Sequence, residues 1–109
     1  MHQPYILVLC TVPNEETSEK ISEALVKEAL AACVTAVPGV KSVYSWKGEV
    51  QRDTEQMLYI KTKSELYRLT EARIKSLHPY DVPEIIALPI SFGSEEYLDW
   101  IGRVTRSEL

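Results

Sequence analysis

The chain has 109 residues, 45% of them hydrophobic and 26% charged, the proportions of one globular domain whose core needs no disulfide or structural metal. Sixteen acidic residues against 12 basic ones give a formal net charge of −4, and the lysines and arginines are scattered, which argues against a nucleic-acid partner because phosphate-backbone affinity rests on clustered cations. The apolar segment 5–12 is too short to span a bilayer and Met-His-Gln-Pro lacks the basic start of a signal peptide, so a cytoplasmic protein without a membrane association is expected.

"YILVLCTV", residues 5–12, is an apolar run rich in β-branched and aromatic side chains and closed by Pro13; it predicts a buried central strand. Asn14 is a good N-cap, Glu15 and Glu16 suit the positive end of a helix dipole, and Ile21, Ala24, Leu25, Ala29 and Ala32 recur at helical spacing, which predicts a helix running to about Ala32. In the next segment Pro38-Gly39 marks a bend or bulge, after which Val40, Ser42, Tyr44 and Trp46 share one face of an extended strand. Gly48 is a hairpin turn, and the return strand, 49–62, is polar until Met57. Both arms of this hairpin exceed ordinary strand length, and an arm carrying Tyr44 and Trp46 beyond a small domain is an edge that needs a partner.

Ser64 is expected to cap a second helix with Leu66, Leu69, Ile74 and Leu77 on one face, stopped by His78-Pro79. "EIIALPI", residues 84–90, reads as a strand, and Pro89 places it at a sheet edge because proline cannot donate to a ladder. Ser94 caps a last helix with Tyr97, Leu98 and Ile101 on its apolar side. The order β-α-β-β-α-β plus a terminal helix predicts one α+β domain over residues 1–109 with a ferredoxin-like fold, its first strand inside the sheet and its fourth at an edge.

The sequence has no Gly-rich phosphate loop, no GxSxG elbow and no HExxH helix, so an enzyme is not expected and no catalytic residue is assigned. His78 has two readings: a helix C-cap, or a metal ligand whose neutral imidazole, with a thiolate or carboxylate nearby, suits copper or zinc. Cys10 reads as a small core hydrophobe or a soft metal ligand, and Cys33 has the same two readings. Without a CxxC pair, both thiols are expected free. Glu84 either closes the "DVPE" turn or brings a carboxylate to the core edge beside His78.

"LCTVPNEE" (9–16), "LAACV" (30–34), "PGVKSVYSWKGEV" (38–50), "EQMLYIKT" (55–62), "HPYDVPEI" (78–85) and "LPISFGSEEYLDWI" (88–101) together resemble the CutA divalent-cation tolerance family over nearly the whole chain. The resemblance implies a subunit of a tight homotrimer with its long hairpin against its neighbours, tolerance to copper and other divalent metals, and metal ligands at Cys10 and His78, with Glu84 as a further one. Thr35 stands where asparagine is frequent, and Leu77 where some relatives carry another histidine; the missing histidine removes a possible ligand, so copper or another divalent ion is expected to bind weakly or transiently. The alternative is a trimeric signalling or adaptor protein, similar to the PII proteins, holding a small molecule or partner protein in its intersubunit clefts.

Overall fold

A computed structural model describes residues 3–107. The elements run β1 (Tyr5–Val12), α1 (Glu15–Lys27), β2 (Cys33–Trp46), β3 (Glu49–Lys63), a 3-10 turn (Ser64–Leu66), α2 (Tyr67–Leu77), β4 (Ile85–Pro89) and α3 (Glu95–Val104). The strands form one antiparallel sheet in the order β2-β3-β1-β4, with β1 inside and β4 at an edge as the sequence predicts. This is the ferredoxin-like α+β arrangement.

Alternation along the strands divides the sheet into two unlike faces. Ile6, Val8 and Cys10 of β1 pair across the ladder with Thr62, Ile60 and Leu58 of β3, and these residues and Val12 are all buried beneath α1 and α2 with Ile21, Leu25, Leu66 and Ile74. The opposite face carries Leu7 and Leu9, flanked on one side by Leu88 and Ile86 and on the other by Lys61 and Tyr59. It is covered at one end by α3, where Lys63 Nζ reaches the Gly102 and Thr105 carbonyls and the Arg106 N–H donates to Ala29. Beyond that helix Ile86 and Leu88 remain 51% and 49% exposed.

The first helix is shorter than its periodicity suggests. It ends at Lys27, with Glu28 as the C-cap and Ala29 in the left-handed region at φ 57°. The Leu30 N–H donates to Leu25 O and the Ala29 N–H to Val26 O, the paired bonds of a Schellman ending, here built without glycine. Leu30, Ala31 and Ala32 are buried in the connection that follows, and the hydroxyls of Thr62 and Thr70 hold the Leu30 carbonyl. Ser64 is not a helix cap either: its hydroxyl donates to the Gln3 carbonyl, and α2 is entered through the 3-10 turn without a side-chain cap. Leu69, assigned to the apolar face of α2, is exposed. Asn14 and Ser94 cap as expected, each accepting a backbone N–H three residues on.

The hairpin projects as the alternating pattern requires, bulged between Val37 and Val40 and turned by Lys47 and Gly48, both at positive φ. Val43, Tyr44, Trp46 and Val50 are exposed along it. Pro89 is tolerated in β4 for a specific reason. The Ile90 N–H donates to Tyr5 O, so the odd residues of β1 turn their polar groups toward β4, and Pro89 sits opposite the even residue Ile6, where the ladder needs no donor.

Candidate functional site

Cys10 and His78 come together at the end of the sheet; Glu84 approaches from the surface. Cys10 occupies the covered face of β1 and is fully buried. Burial, with the charges of Glu84 and Glu55, pushes its thiol pKa up to about 12, and its S–H points to the Thr11 carbonyl at 3.7 Å. His78 follows α2 as its C-cap through its backbone, with the N–H on Ile74 O, while the side chain, 8% exposed, places Nε2 at 2.8 Å from the same Thr11 carbonyl. Glu84, just before β4, is exposed.

The sequence assigns no site role to Glu55, Asp53 or Tyr80 at this end, and reads Tyr44 only as an exposed aromatic of the arm. Glu55 is only 5% exposed and accepts a 2.8 Å hydrogen bond from the Tyr80 hydroxyl. Burial, the bond to Glu55 and neighbouring negative charge raise the Tyr80 pKa. Along the arm the Tyr44 hydroxyl donates to Asp53, which raises the Tyr44 pKa. The available signal was the pairing of "VYSW" with "EVQR" across a hairpin, which sets Tyr44 opposite Gln51 and diagonal to Asp53. Nothing local linked Tyr80 to Glu55, 25 positions away. Cys33, half-buried at the start of β2, lies 3.7 Å from Lys61 Nζ, and both cysteines are free.

The three residues assigned to metal do not present a coordination sphere within one subunit. Among the described residues no group of three or more His, Cys, Asp or Glu side chains is placed to hold a metal ion. A ligating sulfur must be a thiolate, whereas Cys10 is held protonated, and both nitrogens of His78 are already bonded. The surroundings do favour positive charge in general, since Glu55, Asp53 and Glu84 face this region and among the described residues no lysine or arginine forms an ion pair with them.

The sheet order, long bulged hairpin and terminal helix define a ferredoxin-like α+β protein with carboxylates gathered near the end of β1. A sequence model described as the CutA1 divalent ion tolerance protein matches residues 6–104, and the chain belongs to that family. It is 54% identical over 99 residues to the divalent-cation tolerance protein CutA of Thermus thermophilus, covering 91% of this chain and 96% of that one. It is 49% identical over 104 residues to the chloroplastic CutA protein of Arabidopsis thaliana, of whose length it spans 57%. The crystal structure of CutA1 from Oryza sativa superposes with a TM-score of 0.94 at 46% identity, covering 97% of each chain. Among the described residues no helix is long and apolar enough to cross a membrane.

Proposed function

We propose that the protein is the subunit of a cytoplasmic homotrimer that serves tolerance to divalent cations, copper among them, as a binding protein and not as an enzyme. The observation that carries the assembly is the uncovered sheet face: Leu7, Leu9, Ile86 and Leu88 form an apolar surface beside an arm with Tyr44 and Trp46 exposed, and soluble proteins bury surfaces of this kind against partners. Closed symmetry among copies satisfies every such face at once. The metal is held weakly, drawn by Glu84 and the carboxylates near it, with water or a neighbouring subunit completing its coordination.

A second reading rests on the two phenol–carboxylate pairs, Tyr44 with Asp53 and Tyr80 with Glu55, which give this side of the arm the chemistry of an organic-ligand cleft. Native mass spectrometry of the purified protein with Cu(II), Zn(II) and a metabolite panel separates the two. A trimer that gains metal mass supports cation tolerance through binding. A trimer that ignores both metals and retains a metabolite replaces it with a PII-like sensor.

A further inference from the structure

The turn over residues 78–84 is expected to hold a metal, yet its hydrogen bonds commit it to another task. The carbonyls of Tyr5 and the other odd residues of β1 face β4, and β4 begins opposite Cys10, which leaves the Thr11 carbonyl beyond the end of the ladder. The His78 imidazole takes the place of the missing strand donor, with Nε2 at 2.8 Å. A carbonyl oxygen can only accept, so Nε2 carries the proton. On the other side of the ring Nδ1 accepts the Tyr80 N–H at 3.2 Å, which requires Nδ1 to be unprotonated. These two bonds define one neutral tautomer. Its single available lone pair is occupied, and a metal needs that lone pair.

The same ring stands against Tyr80, with centroids 4.7 Å apart, and the Tyr80 hydroxyl closes the path on the buried Glu55 carboxylate. The connection therefore runs from the Thr11 carbonyl through His78 to the Tyr80 backbone, and from the Tyr80 phenol to Glu55. Loss of the His78 acceptor frees the Tyr80 N–H and leaves a carboxylate that is 5% exposed without its hydroxyl donor. We infer that His78 is a positioning residue, which docks the 78–84 turn on the end of β1 and seats Tyr80 on Glu55, and that it is not a ligand for divalent cations in this protein. The inference goes beyond the proposed metal tolerance and narrows where a cation can bind.

Two near-isosteric variants of the full chain separate the roles of the ring nitrogens. His78→Asn keeps an acceptor near the Nδ1 position, and His78→Gln keeps a donor near Nε2. Amide hydrogen exchange at Tyr80 is expected to stay slow in His78→Asn and to accelerate by about tenfold or more in His78→Gln. Calorimetric titration of Zn(II) and Cu(II) is expected to give both variants affinities within about twofold of the unaltered protein. Nitrogen-15 spectra of the unaltered imidazole should show the Nε2-protonated tautomer with and without added Zn(II). Equal acceleration of Tyr80 exchange in both variants, loss of metal affinity of about tenfold or more in both, or a Zn(II)-dependent shift of the His78 nitrogens would each overturn the inference. If the unaltered protein takes up neither metal, the binding function fails while the exchange pattern still decides the role of His78.

Discussion

The two faces of the sheet differ less in composition than in what covers them. On the face beneath α1 and α2, Val8, Cys10, Leu58 and Ile60 are fully buried; on the other, Ile86 and Leu88 are half exposed although they lie beside Leu9 and Leu7 in the same ladder. Hydrophobic burial follows area removed from water and does not distinguish a helix of the same chain from the surface of another copy. The covered face is accordingly the core of the chain, and the open face is the one that the proposed assembly would turn into a second core.

The largest expected effect lies on the covered face. Ile60→Ala deletes buried methyl and methylene groups and should cost about 2 to 5 kcal/mol, read as a lower denaturation midpoint at unchanged slope. Leu88→Ala on the open face should leave the unfolding of dilute subunits nearly unmoved and make the melting temperature depend more steeply on protein concentration. Comparable losses independent of concentration would mean that the faces are energetically alike.

A smaller effect separates them by pH. The native Cys10 thiol titrates at about 12, above its ordinary value of 9.0. Between these values the unfolded chain has released the proton and the folded one keeps it, so stability present below pH 9 is lost as pH rises, by up to about 1.4 kcal/mol per pH unit. The raised tyrosines Tyr44, Tyr67, Tyr80 and Tyr97 act in the same direction. The informative quantity is therefore the difference in alkaline slope between the unaltered protein and Cys10→Ala, and identical slopes would show that the thiol is not shielded as described.

The smallest effect needs no substitution. A thiol reagent at mild alkaline pH should modify one cysteine per folded subunit, Cys33 at the half-buried start of β2, and reach Cys10 only on unfolding. Rapid labelling of both would open the covered face.

Much of this architecture is legible in the sequence. Apolar runs mark β1 and β4, period-two alternation marks β2, Asn14 and Ser94 announce two helix starts, and Pro89 identifies the edge strand. The end of α1 is not legible, because the left-handed position that stops it is filled by Ala29 where glycine is the usual signal. Ser64 misleads because a cap and a tertiary hydrogen bond use the same hydroxyl, and here the Gln3 carbonyl receives it. "IIALP" is apolar on both sides of the strand, so the pattern cannot say that one side lacks a cover within its own chain. At the candidate site Cys10, His78 and Glu84 can be picked out as residue types. That His78 completes the ladder of β1 depends on β4 beginning opposite Cys10, a long-range register that no local pattern encodes.

The claim that the open face is an assembly face is tested most directly by sedimentation velocity of the unaltered protein beside an Ile86→Glu, Leu88→Glu double variant. Glutamates there stay hydrated on a free subunit but are stranded when copies close over them. The unaltered protein should sediment as a species of three times the 12.4 kDa subunit mass, and the variant as a folded monomer with its circular dichroism preserved. An unaltered protein that sediments as a monomer, or a double variant that remains a trimer, would contradict the assignment.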